Sequence, residues 1–451
     1  MGPRRVCLIL IAALGAGAAR AEQPMRLAEC VREALARNPR LGVARAGLSA
    51  AQAGRIAARA AYLPRLTVES SDSYYFVGQK ESIYIEGQGV PYEREAYHDD
   101  LHGFGLYLSQ TLFDGGVYWL QPRRADAELA RSQLEMAATT EQLVLAVVES
   151  FHLLGRALHE ERVLQASLDL SRAQLELARE RHRLGDASKV DVSRARVSVG
   201  EDRIALERQR AALDQAREEL NLAMGRMPDA PLEIAQPAGF EDESPPLPAG
   251  PARGPVRIED HIVLQLQRAA ERVAELDEEI AEAGWWPTVT GHISYSRQDP
   301  EFYKVYSRFD ELFTLNFGLR IVYPLFEGFA LEARIETARA QAERVRSQRA
   351  LAEQDLGAQR IRAERQIERL QRIYGVEADN VTAAADSLTL AQERYAVGEG
   401  TALEIRDAQL AVTRARLARV QTRFDLLIAT ARLQYARGEL ADTYIEDGDS
   451  P

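Results

Sequence analysis

Glu404 and Asp407 stand three residues apart in the stretch Thr401-Ala-Leu-Glu-Ile-Arg-Asp, at the start of an apolar-periodic run. Residues three apart share a helix face, so the two carboxylates project together and could hold a cation. First-turn acids also complement the positive end of a helix dipole. The same break in helical pattern occurs 213 residues earlier, where Gly185, Asp186, Ser188 and Asp191 correspond to Gly398, Glu399, Thr401 and Glu404. Arg194 takes the place of Asp407, so only the second copy carries the acidic pair. Glycine suits a tight helix reversal, and Ser188 and Thr401 are capping residues for the helix that follows.

Other chemistry is thinly represented. The seven histidines are scattered, with His98 and His102 in or beside an expected loop, and none forms a metal-ligand spacing with a carboxylate. Gly398-Glu399-Gly400 lacks the preceding strand of a nucleotide-binding fingerprint, so neither an enzyme nor a cofactor is indicated.

The elements that must position these residues begin after residues 1–21, which have the form of a secretory signal: Arg4 and Arg5, an apolar run, and Ala19-Arg20-Ala21 as a cleavage site. That run is too short to span a membrane, and no later stretch has the roughly 20 apolar residues a spanning helix needs, so membrane insertion would require a β-barrel. Removing Arg4, Arg5 and Arg20 takes the net charge from −12 to −15, which argues against a nucleic-acid partner. Cys7 leaves with the signal, so Cys30 has no partner for an intrachain disulfide. Glu29 is a poor residue before a lipidated cysteine, and Cys30 is expected to be a packing residue in a helix.

The chain is two homologous halves, since Leu112-Phe113-Asp114-Gly115 recurs as Leu325-Phe326-Glu327-Gly328 at the same offset of 213. The first repeat covers 22–225, with a helix, a β-hairpin over 66–113, a long helix over 121–183 and a return helix over 188–224. A Pro- and acid-rich linker follows over 226–257. The second repeat covers 258–438, with a hairpin over 288–323, a long helix over 331–396 and a return helix over 402–436; a polar tail, 439–451, ends the chain. Residues 312–323 alternate Phe313, Leu315, Phe317, Leu319 and Ile321 against Thr314, Asn316, Gly318 and Arg320, the period of a strand with one apolar face. Such strands are long enough to cross a bilayer when tilted, with polar outer loops over 79–100 and 299–310. The long helices would span about 95 Å and about 99 Å, more than a compact core needs. Heptads at Val190, Val197, Ile204 and Ala211, and at Leu403, Leu410, Leu417 and Phe424, have coiled-coil spacing. Four strands cannot close a barrel, and an open edge in hydrocarbon is costly, so several chains must share one.

This combination resembles the TolC-type outer-membrane efflux proteins. The opening helix from Leu27-Ala28-Glu29-Cys30-Val31 to Asn38-Pro39, Tyr62-Leu63-Pro64, Leu112 to Gly116, and Arg394-Tyr395 through Gly398 to Gln409 carry the likeness in order along the whole mature chain. It implies a mainly α fold with a β-barrel portion, a homotrimer with a twelve-stranded barrel in outer-membrane lipid and a helical tunnel reaching into the periplasm. Its implied partners are a periplasmic adaptor and an inner-membrane transporter, a proton-driven pump or an ABC exporter. The adaptor would dock at the helix turns, Gly185, Asp186, Ser188, Gly398, Gly400 and Thr401. Glu404 and Asp407 match the family's acidic entrance pair, and Asp191 and Tyr395 are its candidates for contacts that hold the entrance shut. Gly400 departs from a pattern with arginine at that place. The function implied is a passive exit duct for efflux or type I secretion. The alternative is a pore-less periplasmic coiled-coil scaffold or adaptor, although adaptors carry more β structure than two hairpins supply.

Overall fold

The structure is a computed structural model that describes residues 24–78, 80–83, 92–94, 97–235, 260–307, 309–440 and 443. The expected signal segment 1–21, most of the expected linker 226–257 and most of the expected tail 439–451 lie outside the described residues. The chain divides into two compact units.

The unit formed by Arg45–Glu135 and Val263–Ala352 contains the sheet. Its strands are β1 (Arg65–Val77), β4 (Tyr97–Asp114), β5 (Thr288–Asp299) and β6 (Phe313–Val322), and they pair antiparallel in the order β1-β4-β5-β6. A separate ribbon pairs β2 (Lys80–Ile83) with β3 (Tyr92–Arg94). Register puts Leu66 opposite Leu108, Leu108 opposite Ile293 and Ile293 opposite Phe317, so one sheet face carries an apolar row across all four strands. A second row on that face runs Val68, Leu106, Tyr295, Leu315. The opposite face is polar: Thr67, Tyr107, Ser294 and Asn316 form one of its rows. Period-two alternation is what makes the faces differ so sharply. Away from its outer end that face is bare in the single chain, with Phe317 77% and Leu319 66% exposed. That is the pattern of a sheet with lipid on one side and an aqueous lumen on the other.

Three features of this unit depart from the sequence reading. Strand β4 reaches back into the expected outer loop over 79–100, which takes His98, Asp99 and Asp100 into the sheet; His102, expected in or beside that loop, lies within β4 and pairs with Asp72 across the sheet (Nδ1 to Oδ1, 2.7 Å). The segment expected as a polar loop over 299–310 contains a short helix, α6 (Phe302–Ser307). Its apolar residues drive it onto β4 and β5: Val305 is fully buried, Phe302 meets the His102 ring edge-on, and buried Arg297 donates to the Lys304 carbonyl (2.9 Å). Finally, the register slips between Thr111 and Phe113, a bulge at the end of β4.

The other unit is formed by Met1–Ala44, Met136–Ile262 and Glu353–Pro451. It includes α1 (Leu27–Arg37) and the start of α2 (Pro39–Ala60), the distal part of α3 (Val117–Leu184), α4 (Lys189–Met224), the distal part of α7 (Ala330–Ala396) and all of α8 (Ala402–Arg437); α5 (Ile262–Glu282) precedes β5. Helices α3 and α7 have 68 and 67 residues, about 100 Å each, and both return helices have 36. Helix α3 begins at Val117 rather than 121 because the Asp114 carboxylate accepts the Tyr118 amide (2.8 Å); Pro122 falls near this start, where it forfeits a single helical bond. The core packs Val31 and Ala34 of α1 with Val147, Phe151 and Leu154 of α3 and Leu213 and Leu220 of α4. Cys30 is fully buried here, and burial beside Glu29 and Glu33 pushes its thiol up to about 12, so it is a neutral packing residue. Phe424 of α8 sits so close to Gly155 of α3 that any Cβ there would lie 2.8 Å from its ring.

The heptads divide differently from the sequence reading. Phe424 is buried, but Leu403 is 57% exposed, and Val190, Val197 and Ile204 are all more than half exposed. The buried side of α4 is instead the row Leu206, Leu213 and Leu220, because that row faces α1 and α3.

The sheet's two faces should differ in tolerance. Phe317→Arg or Leu319→Arg should cost about 2–4 kcal/mol near the bilayer midplane, and should lower the yield of assembled protein in outer-membrane extracts. Thr314→Arg, on the polar face, should leave that yield close to wild type.

Candidate functional site

Both helix turns fall in the second unit and are built alike. At the first, Gly185 has φ +91°, and the Asp186 amide donates back to the Arg181 carbonyl (2.8 Å), closing α3. At the second, Gly398 has φ +84°, and the Glu399 amide donates to the Arg394 carbonyl (2.9 Å). The positive φ is open to glycine without strain, which explains the repeated Gly. Gly400 is needed for a different reason: a Cβ there would lie 2.9 Å from the Tyr395 amide nitrogen, so the chain has no room for a side chain at this position.

The two N-terminal acids of the return helices take different partners. The Ser188 hydroxyl donates to Asp191 Oδ2 (2.7 Å) and accepts the Asp191 amide (3.2 Å), while the Ser188 amide donates to Oδ2 (3.1 Å). These bonds form a reciprocal capping box, and the Ser188 hydroxyl and amide hold the Asp191 carboxyl below the usual carboxylate range. In the second turn Thr401 accepts the Glu404 amide (3.3 Å), but the Glu404 carboxylate leaves the cap and meets Arg394 of α7 at 3.4 Å. Asp407 is exposed on the same helix and has no ion pair among the described residues. The carboxylate pair is therefore solvent-facing and only partly neutralised.

Tyr395 and Asp191 line one cavity of about 510 Å³ together with Val190, Leu403, Arg406 and Gln409, but they are not bonded to each other. Tyr395 is held from α3: the Arg181 guanidinium lies 4.1 Å over its ring and donates to its carbonyl (3.4 Å). Arg406, between the two acids in sequence, turns the other way and grips Asp202 of α4 through both carboxylate oxygens (2.9 and 2.8 Å), with Glu201 at 3.4 Å. Both partners are nearly buried, and the bond to Asp202 strengthens the arginine's hold on its proton.

Sequence reasoning missed Arg181, Asp202 and Arg406. Asp202 and Arg406 are 204 residues apart, off the repeat interval, so nothing in the sequence pairs them. A cation beside each functional residue, Arg394 one position before Tyr395 and Arg406 one before Asp407, was the available signal.

Comparison with known proteins settles the family. The family model for outer membrane efflux proteins matches residues 30–226 and 260–439. The chain belongs to that family. Over 444 residues it is 26% identical to protein CyaE of Bordetella pertussis, covering 95% of this chain and 86% of that one. Its fold is that of VceC from Vibrio cholerae, with a TM-score of 0.76 at 19% identity over 91% and 96% of the two chains. It also matches the open state of the MtrE channel of Neisseria gonorrhoeae, with a TM-score of 0.70 at 18% identity over 92% and 89%. The fold class expected from sequence, a TolC-like helical tunnel with a barrel portion, is the one observed. Membership makes the chain an outer-membrane channel protein rather than an enzyme.

The Arg406–Asp202 clamp yields a direct prediction. Asp202→Ala strands a nearly buried guanidinium and should destabilise this unit by about 3 kcal/mol, read as a lowered melting temperature by circular dichroism in detergent. Glu201→Ala removes only an exposed, more distant partner and should cost less than about 1 kcal/mol.

Proposed function

We propose that three copies of this chain form a passive exit duct through the outer membrane, with the helix turns and the Glu404–Asp407 ring at its periplasmic end. The observation that carries this reading is the four-stranded sheet: apolar on one face, polar on the other, and unpaired along the outer side of both β1 and β6. In a member of the efflux family, the partners missing from those edges are the edges of further copies. Rotation about the duct axis would copy Glu404 and Asp407 into a ring of six carboxylates, whose field favours cations and binds polyvalent ones.

The exposed turns at Gly185–Ser188 and Gly398–Thr401 are the natural docking points for a periplasmic adaptor, which would couple the duct to a proton-driven pump for efflux or to an ABC exporter for type I secretion. Nothing along the chain resembles a nucleotide site, so the partner supplies the energy. Tyr395 and Asp191, on the wall of one cavity, would set the closed state through contacts remade on opening; the Arg181 stack on Tyr395 is one such contact. The solved MtrE channel is named for an open state, which supports a duct of this fold that opens and closes.

Planar-bilayer recording tests the gate. The wild-type channel should prefer cations and be blocked by trivalent cations from the periplasmic side. Glu404→Gln with Asp407→Asn should weaken both properties at least severalfold while leaving the melting temperature almost unchanged. Unaltered selectivity and block, with a lowered melting temperature, would reduce the pair to helix-capping acids.

A further inference from the structure

The lipid-facing side of the sheet changes character at one end. Helices α2, α3, α5 and α7 all join the strands at one end of the sheet, and the β1–β4 and β5–β6 connections lie at the other, the outer end. There the apolar rows give way to polar ones on the same face. Register aligns Ser70 with Phe104, Arg297 and Phe313, and aligns Asp72 with His102 and Asp299. Charge on the outside of a membrane barrel is costly wherever acyl chains reach it.

Helix α6 lies across this patch. The Tyr306 and Ser70 hydroxyls meet at 2.5 Å, the Lys304 carbonyl accepts from Arg297, and the Phe302 ring stands edge-on to His102 with centroids 5.3 Å apart. Under this roof Arg297 is only 3% and His102 only 8% exposed. The segment after α6 continues the cover. The Tyr295 hydroxyl donates to the Phe309 carbonyl (2.6 Å), and the Arg297 guanidinium lies 5.5 Å over the Phe309 ring.

The roof presents rings to the outside: Phe302, Tyr303 and Phe309 are 55%, 60% and 51% exposed. Water favours turning such rings inward, whereas lipid does not penalise them. Their surface is continuous with the lipid-facing rows, since Phe313, at the start of β6, stacks on Tyr295 with centroids 5.6 Å apart. Height agrees with this. From the Val289–Ile321 pair to the Arg297–Phe313 pair is eight steps along β5, 289 to 297. That is about 27 Å of strand, or about 20 Å of height at a tilt of ~40°. An apolar band is about 25 Å tall, so the Arg297 row and the helix on it stand at the band's outer rim.

We propose that α6 and Phe309 form an interfacial anchor on the outside of the barrel wall, seating Phe302, Tyr303 and Phe309 where the headgroups of the outer leaflet meet its acyl chains. The occupant is lipid rather than a second protein, because the surface extends the lipid-facing rows without a break and ends at rim height. The anchor holds the charge of Arg297 and the His102–Asp72 pair away from the acyl chains. It also draws the β5–β6 connection outward, off the pore mouth. This placement rests on the sheet being the wall of the proposed duct.

Depth-dependent fluorescence quenching in the full assembled chain tests the anchor. Tyr303→Cys and, separately, Phe309→Cys carry a bimane label, with the unsubstituted chain as the blank because Cys30 is buried. The protein is reconstituted in phosphatidylcholine vesicles whose chains are brominated either near the headgroup or near the tail, and unbrominated vesicles are treated with aqueous iodide. Labels at 303 and 309 should be quenched at least threefold more by bromine near the headgroup than by tail bromine or iodide. Phe317→Cys should respond most to tail bromine, and Thr314→Cys to iodide. Quenching of 303 and 309 by iodide and not by lipid, with Phe317→Cys still quenched by lipid, would overturn the anchor and leave the duct standing. Loss of lipid quenching at Phe317→Cys would instead overturn the barrel wall and the anchor with it.

Discussion

The constraint on which the rest depends is that hydrocarbon supplies no hydrogen bonds. Strand β6 has ten residues and β1 thirteen, and each pairs along one side only. Every backbone amide or carbonyl left bare on the other side costs several kcal/mol within a bilayer. No side-chain change can remove that cost; another strand can. A sheet with an apolar row from Leu66 through Leu108 and Ile293 to Phe317 therefore enters a membrane only with both edges paired, and the proposed duct pairs them with the edges of further copies. Oligomerisation is a condition of insertion, before it is a means of function.

The helices obey the same logic in water. Helices of about 100 Å offer more surface than one chain can bury, and Val190, Val197 and Ile204 of α4 are more than half exposed in the single chain. Near the turns, specific polar contacts inside one chain add to the apolar core of that unit: the bidentate Arg406–Asp202 clamp, the Arg181 stack on Tyr395 and the Ser188–Asp191 capping box. These fix the level of the two turns, which in turn places Glu404 and Asp407 at one end of the helices. Arg406 between them faces α4 and Asp191 is used by its own cap, so of these neighbours only Arg394 meets the acidic pair, at Glu404.

Much of this was legible in the sequence. Period-two alternation over 312–323 marked β6 and its lipid-facing side, the repeat interval marked the turns, and uninterrupted helical composition marked α3 and α7. Less legible were features that depend on tertiary partners. His102 looked like a loop residue because Asp72, thirty residues away, is what draws it into the sheet. Residues 299–310 looked like a polar loop because the charged residues there outweighed Phe302, Val305 and Tyr306, whose helix exists only against β4 and β5. The α4 heptad was visible, but seven-residue periodicity alone did not say which row is buried, and it is Leu206, Leu213 and Leu220 rather than Val190, Val197 and Ile204.

The central claim is that the folded, membrane-inserted form of this chain is a closed assembly of three copies. Native mass spectrometry of the protein extracted from outer membranes measures that directly. The account predicts a dominant species of three chain masses, which conducts ions when the same preparation is placed in a planar bilayer. A dominant single-chain species that is folded and membrane-inserted, with β1 and β6 left open, would contradict it.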